Sequence, residues 1–371
     1  MLKIGLNLLY LIPNEVKGVE TFARCLLNEF ASQREIDFHV FVSAAATDLE
    51  IPDVSHFHKI VVPIDNRNRY KRYAWEQLVL PFQAHRLGLD LLHSLSYVGP
   101  IWGFGRRIVT IHDANSCDAK QSMGVSKRVG LRTMSKLSAK TSHAVTTVSH
   151  FSKRQLCSRL LIAEPKIRVI YSGCGWDTPC GDESQLGEMR TRYSLHGPYI
   201  VAFGGGYPHK NIGALYDAFD TVSKSVPHEL VIIGNPHEDV STNRISAAAG
   251  NRVRLLGHVP TMDVGLILQG ADLMVFPSLY EGFGFPILEA QRHSTPVVCS
   301  GVASLPEVAG LGAEFFDPCK TSEMAEKIRR CLDDPDLRGR LVEAGRTNVK
   351  RFSWTATAEE YINLYRSLCT R

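Results

Sequence analysis

The sequence predicts two doubly wound α/β domains, each built on a parallel sheet and facing the other across a cleft. Three observations carry this. The chain has 371 residues, more than one typical domain holds. Short apolar runs alternate with helical patterns, and the runs are continuous, as in strands covered on both faces. The series stops over residues 174–196 and then starts again.

The first series begins with "KIGLNLL" and the helix "GVETFARCLLNEF". The runs "FHVFV", "KIVVP", "LDLLHS", "RIVTIH", "HAVTTVS" and "IRVIYSG" follow, with helical stretches near 70–87, 126–140 and 149–161. "CGWDTPCGDES" then reads as linker. The second series is "YIVAF", a helix over 211–225, "ELVIIG", "VRLLG", "DLMVFP" and "PVVCS". "WTATAEEYINLYRSL" (354–368) is a closing amphipathic helix.

Composition narrows the class. Apolar residues make up 44% and charged residues 22%, ordinary for a globular protein. No apolar run reaches the length of a membrane span. "MLKIGLNLLYLIP" has one Lys, an Asn inside the run and no small-residue cleavage site, so it reads as a buried strand rather than a signal peptide. Nine cysteines without a C-x-x-C pair point to reduced thiols in a cytoplasmic protein, not to a disulfide frame or a zinc site. Residues 1–180 hold 23 Lys+Arg and 15 Asp+Glu, a net +8; the remainder has 42 − 23 = 19 and 38 − 15 = 23, a net −4. The basic half suits anionic lipid or a phosphorylated substrate, and "NRNRYKRYAW" (66–75) is its densest basic and aromatic run. A solvated loop entering a helix accounts for that run as well. No RNP, KH or zinc-finger pattern supports nucleic acid.

Ligands of open α/β sheets sit beyond the carboxyl ends of strands, so those turns hold the candidates. In "YIVAFGGGYPHKN" a strand runs into Gly204, Gly205 and Gly206, then Pro208, His209 and Lys210, then a helix. Glycines admit close backbone approach, a helix start favours anions, and a lysine neutralises phosphate. It is neither a Walker loop nor G-x-G-x-x-G, and a plain loop with a surface lysine reads the same. In "SLYEGFGFPILEA" Pro286 suits a first helical turn, which places Glu289 in that turn and Glu281 before the glycines. The N–H groups of residues 283–285 are freed to face a ligand, and the paired carboxylates suit vicinal hydroxyls. A helix-dipole partner and a solvated acid is the competing account. "IVTIHDA" ends a strand in His112 and Asp113, a structural or a functional histidine. "DDPD" (333–336) carries an acid-x-acid pattern but lies between helical stretches at Pro335, so it reads as a turn and implies no metal.

Taken together these segments resemble the retaining GT-B glycosyltransferases of family GT4 over nearly the whole chain, most strongly over 199–318. "EGFGFPILEA" looks like the family's E-x7-E motif and "PHKN" like its phosphate-binding lysine segment. "ADLMVFPS", "GVASLPEVAGLGAEFFDP", "GVETFARCLLNEF", "TIHDA", "VSHFSKRQL" and "FSWTATAEEYINLYRSL" are similar to further family segments, in the family's order. The resemblance implies two Rossmann-like domains. Residues 1–178 would be the acceptor side, with helix 354–371 packing back onto it, and 179–353 the donor side. Lys210 would contact the donor diphosphate, Glu289 the ribose and Glu281 the transferred sugar. Backbone at Phe283, Gly284, Phe285, Gly204 and Gly205 would hold sugar and phosphate. His112 would lie against the sugar, making His112, Lys210 and Glu281 the catalytic set. Gly18 and Val19 would approach the phosphates, and "GHVP" (257–260), with His258 and Val259, would line the base pocket.

Two departures stand out. An Arg common just before or six residues before this lysine is His209 or Gly204 here, so His209 is the candidate second phosphate cation. One glycine, Gly18, stands where a pair is common.

The implied reaction moves a hexosyl group, with retention and without metal or other cofactor. Its donor is a UDP-glucose-like or GDP-mannose-like sugar, and its acceptor a glycan or lipid-linked saccharide in polysaccharide or glycolipid synthesis. Peripheral contact with the inner face of an anionic membrane is a further expectation. The alternatives are a nucleotide-sugar 2-epimerase and a non-catalytic subunit of a polysaccharide assembly complex.

Overall fold

The structure, a computed structural model, describes residues 1–12, 17–103, 105–114, 125–175, 178–205, 207–235 and 246–369; at 17, 125, 127, 247 and 248 it describes the backbone alone. Gly206 and part of the linker candidate lie outside the described residues. The chain forms two compact units. One holds the described residues up to Gly173 together with Ser353–Cys369, the other Cys174–Phe352. These divisions, against the expected 178 and 353, follow local packing. The Cys174 N–H donates to the Phe352 carbonyl at 3.2 Å, while Gly173 lies against the Trp354 ring so closely that a Cβ there would come within 2.4 Å of it.

The first unit is a seven-stranded parallel sheet of β1 (Leu2–Asn7), β2 (Ile36–Ser43), β3 (Phe57–Val62), β4 (Leu91–Ser94), β5 (Arg106–Thr110), β6 (Ala144–Thr147) and β7 (Ile167–Val169). The order is β3-β2-β1-β4-β5-β6-β7. Its helices are α1 (Lys17–Phe30), α2 (Arg69–Leu78), α3 (Leu80–Arg86), α4 (Val125–Thr141) and α5 (His150–Leu160). The helix expected over 70–87 is two. Pro81 lacks an N–H and clashes with the preceding turn, so α2 stops at Leu78 and α3 restarts beyond Val79. Asn68 opens α2 by accepting from the N–H groups of Tyr70 and Lys71.

The second unit is a six-stranded parallel sheet in the order β10-β9-β8-β11-β12-β13. Its strands are β8 (Tyr199–Phe203), β9 (Glu229–Ile233), β10 (Val253–Gly257), β11 (Leu273–Phe276), β12 (Val297–Ser300) and β13 (Ala313–Phe316). The last was not among the expected runs, because "AEFF" is short and carries a charge at Glu314. The helices are α6 (Glu183–Tyr193), α7 (Ile212–Val222), α8 (Ala247–Gly250), α9 (Thr261–Gln269), α10 (Phe285–Arg292), α11 (Leu305–Ala309), α12 (Thr321–Asp333) and α13 (Pro335–Val349). Helix α6 corrects the expectation that the pattern stops over 174–196, and it takes in the last two residues of the linker candidate "CGWDTPCGDES". Asp182 and Gln185 form a reciprocal capping box that starts a helix with one buried side chain, Met189. "DDPD" is the turn expected: α12 ends at Asp333, and Asp334 caps α13 by accepting from the Leu337 N–H.

Helix α14 (Trp354–Cys369) completes the first unit's core and packs on α1. Tyr361 and Tyr365 are fully buried on its inner face. The Tyr365 hydroxyl lies 2.6 Å from His93 Nδ1, and His93 Nε2 lies 2.8 Å from the Thr110 hydroxyl. A buried imidazole sharing hydrogen bonds with neutral hydroxyls is held uncharged, and burial pushes His93 down to about 3.

Burial likewise pushes His112 and His293 down to about 4. Above pH 6.5 these groups are neutral folded or unfolded, and their burial carries no proton cost. Below it the unfolded chain takes up protons that the folded chain does not, so stability falls as pH drops from about 6.5 towards 4. Each unit of displacement is worth about 1.4 kcal/mol. Thermal unfolding at about pH 7.5 and pH 5 should show the lower midpoint at pH 5; an unchanged midpoint contradicts this account.

Candidate active site

In each sheet the strand order reverses once between neighbours whose chains leave in opposite directions, between β1 and β4 in the first unit and β8 and β11 in the second. Crevices beyond such switch points receive ligands in open α/β folds. The two motifs singled out from the sequence follow β8 and β11, so the second unit brings them together.

After β8, Gly204 donates to the Ile233 carbonyl at 2.8 Å, and Pro208–Lys210 makes one 3₁₀ turn before α7. Asn211 takes the left-handed conformation at φ 56° and ties to the Pro318 carbonyl. After β11, the Leu279 N–H donates to the His209 carbonyl at 2.8 Å, joining the two loops through their backbones. The side chains complete the junction. Lys210 Nζ lies 2.7 Å from Glu281 Oε1, with both side chains less than one-fifth exposed, and over the Phe276 ring at 5.2 Å. A cation held by one carboxylate at a glycine-bearing strand end can exchange that partner for a phosphate.

His209 stacks on Tyr207, with ring centroids 5.5 Å apart, and its Nδ1 is buried without a hydrogen-bond partner. Burial lowers its pKa; Glu281 opposes this and Lys210 adds to it. Burial thus disfavours the charged form of His209 in the unliganded loop.

Helix α10 starts at Phe285, so Glu289 is its fifth residue and lies beyond the first turn, where the sequence had placed it. Gly284 makes the entry with φ 127°, a backbone that L side chains rarely adopt, and a Cβ there would meet Leu305 Cδ2 at 3.1 Å. The Ser304 hydroxyl reaches the carbonyls of Glu281 and Phe283 at 2.9 and 2.7 Å, drawing the loop's acceptors inward. The rings of Phe283 and Phe285 meet edge to face at 5.2 Å. Glu289 is half-buried against Gly175, where a Cβ would fall 2.3 Å from its Oε1. The nearby Cys174 thiol is pushed up to about 12, by burial first and by Glu289 next. Two buried amides support α10 from beneath. Gln291 donates to the Ala309 and Gly312 carbonyls, and Asn348 donates to Gln291 and to the Val308 carbonyl.

The other candidates are placed differently. His258 is exposed beyond β10, but the Val259 side chain is buried in the core with Ile267 and Leu268, so only its backbone is left to line a base pocket. In the first unit Gly18 and Val19 are the second and third residues of α1, where backbone N–H groups lack intrahelical partners. His112 lies two residues beyond β5 and is buried; its Nε2–H donates to the Leu95 carbonyl at 3.0 Å, with the edge of Phe22 at 4.9 Å. Sequence reasoning passed over Gly175, Ser304 and, at the end of β1, Asn7, which donates to Ser94 and to buried Glu76. Burial raises the Glu76 carboxyl to about 7, with Arg72 and Asn7 opposing. Each is a single small or polar residue whose partner is distant in sequence, so no local pattern marks it.

Two parallel α/β units, the second with a lysine-bearing loop paired to a carboxylate at its switch point, suit a glycosyltransferase, and the comparisons agree. The model of the glycosyl transferases group 1 matches residues 192–348, and that of glycosyltransferase family 4 matches residues 16–174. The chain belongs to the GT4 glycosyltransferases and has the GT-B fold. It is 26% identical over 376 residues to the O-antigen chain mannosyltransferase B of Escherichia coli, covering 96% of this chain and 98% of that one. Among solved structures it is similar in fold to the sucrose-phosphate synthase of Thermosynechococcus elongatus, with TM-score 0.78, 21% identity and 99% of each chain covered. It is also similar to Anabaena HepE, solved with UDP and glucose, with TM-score 0.76, 17% identity, and 99% of this chain and 100% of that one covered.

Replacing Gly284 with Ala forces a side chain into a left-handed backbone and against Leu305, and should destabilise the second unit by about 1–3 kcal/mol. Urea unfolding followed by intrinsic fluorescence measures this; a midpoint equal to wild type contradicts the reading.

Proposed function

We propose that this glycosyltransferase moves a hexosyl group, mannosyl foremost, from a nucleotide-diphosphate sugar to a saccharide or lipid-linked saccharide in polysaccharide synthesis. The observation that carries the proposal is the Lys210–Glu281 pair at the β8/β11 switch point. The mannosyl preference rests on the full-length relative, an O-antigen mannosyltransferase.

Breaking a glycosyl–phosphate bond develops negative charge on the leaving diphosphate and positive charge on the sugar. Lys210 would leave Glu281 for the diphosphate, joined by the N–H groups of the Gly204–Gly205 loop and of the start of α10. Glu281, released from the lysine, would accept from sugar hydroxyls, and Glu289 from the ribose. His209 would contribute a hydrogen bond beside Lys210. With leaving-group charge met by Lys210, the proposed transfer needs no metal. Retention follows if the acceptor hydroxyl attacks on the face the diphosphate leaves, with the phosphate taking its proton.

A thermal-shift panel of UDP, GDP, dTDP and ADP sugars, run with and without a chelator, should show one nucleotide class stabilising the protein in both conditions. At 100 times its dissociation constant a ligand adds about 2.7 kcal/mol. Lys210→Ala should lower turnover by roughly 10²–10³-fold, the usual loss of one preorganised donor, and Glu289→Ala should lose nucleotide stabilisation. Full turnover by the lysine variant would end the proposal.

The acceptor side carries a second part of the reading, contact with an anionic membrane. Around α2 and α3, Tyr70, Leu78, Phe82 and Trp102 are exposed beside Arg67, Lys71 and Arg86, with the Phe82 and Trp102 rings 5.2 Å apart. Among the described residues no helix is long and apolar enough to cross a membrane. Basic residues near a lipid surface contribute about 1 kcal/mol each, and apolar rings add burial. Flotation with anionic vesicles should recover the protein at low salt and lose it at high salt, with Phe82→Ser and Trp102→Ser weaker. No flotation at low salt rules the contact out.

A further inference from the structure

At the edge of the first sheet, on the amino-terminal half of β2, a second cluster meets on elements that carry none of the candidate residues above. Parallel pairing sets Phe38 opposite Phe57 and His39 opposite His58. Asp37 lies two residues before His39, and His56 two before His58. The period of two puts Asp37, His39 and His58 on one face of the strand pair, while His56 sits in the turn just before β3. The Asp37 carboxylate touches both paired imidazoles: Oδ1 lies 2.6 Å from His58 Nε2, and Oδ2 lies 3.3 Å from His39 Nε2. One donor atom from each of Asp37, His39 and His58 falls within 4.8 Å of the others. His56 adds an independent observation. It is 7% exposed, and its Nε2 is buried without a hydrogen-bond partner. With Asp37 and His58 it lines a surface hollow of about 520 Å³, which Arg34 and Met1 also border.

We propose that Asp37, His39 and His58 form a divalent transition-metal site that takes zinc, its fourth position open to water on the side of the hollow that His56 borders. Imidazole nitrogen and carboxylate oxygen are zinc donors at about 2.0–2.2 Å in a tetrahedron. A buried polar atom without a partner calls for a ligand or a water, and His56 Nε2 is such an atom on the hollow that Asp37 and His58 also line. Binding replaces the Asp37–His58 hydrogen bond and requires neutral imidazoles, so it releases any proton that bond holds. The ion would fasten edge strand β3 to β2. The role is structural and separate from sugar transfer, because all three protein ligands lie on these two strands.

The test uses the full chain without a histidine tag. Its exposed thiols, Cys180 and Cys319 among them, are blocked so that they cannot bind the metal. Equilibrium dialysis against micromolar zinc should leave one ion per chain and raise the melting temperature. Cobalt in its place should give the intense visible absorption of a tetrahedral ion. His58→Ala and Asp37→Asn change side chains at or near the surface, and their circular dichroism checks the fold. Losing an outer-sphere partner of a zinc site typically costs about 10–100-fold in affinity; losing a ligand should cost more than tenfold in each variant. No stoichiometric zinc in the wild type, or a loss below tenfold in either folded variant, overturns the site.

Discussion

The reversal of strand order between β8 and β11 is the constraint on which the second unit's chemistry depends. Parallel strands deliver their carboxyl ends to one edge, and at the reversal two loops far apart in sequence leave neighbouring strands, the place where open α/β folds take ligands. Lys210 and Glu281 are 71 residues apart in sequence and 2.7 Å apart in space because their strands are neighbours in that sheet. The backbone bond from Leu279 to the His209 carbonyl fixes the same junction without any side chain. The pair is partly shielded from solvent, so its charges act more strongly than on an open surface. Each charge answers the other.

What surrounds the junction is mostly rigid support. Gly284 turns the chain into α10, Ser304 draws in two carbonyls, and Gln291 with Asn348 forms a buried amide brace below the helix. A fully satisfied buried network favours one arrangement over others, since an unpaired amide in a core is costly. Glu289 takes its place from this support and from the bare backbone at Gly175.

The first unit solves a different problem. Its core is closed by a helix from the far end of the chain, and the seam holds neutral polar groups: His93, Thr110, Thr146, Tyr361 and Tyr365. Each hydroxyl or imidazole there satisfies another. The same burial keeps His112 uncharged beside Phe22. If it meets a sugar, it does so as a neutral hydrogen-bonding ring.

Both sheets and most strands were legible in the sequence, because strands covered on both faces must be apolar without a break, and "YIVAF" or "RIVTIH" shows this directly. The glycine–lysine loop and the E-x7-E segment were legible because close backbone approach restricts residue choice locally. Position within a helix was less so. Glu289 fell outside the first turn because Gly284, not Pro286, ends the loop. The capping box of α6 was present in "DESQ" but masked by a polar, weakly patterned segment. The composition and local spacing of the chain thus determined its fold class and the two motifs of the site. Only tertiary structure decided that Lys210 meets Glu281, that burial lowers the pKa of His209, that Val259 belongs to the core, and that Asp37 converges with His39 and His58. Each of these depends on strand register or burial, quantities set by neighbours far away along the chain.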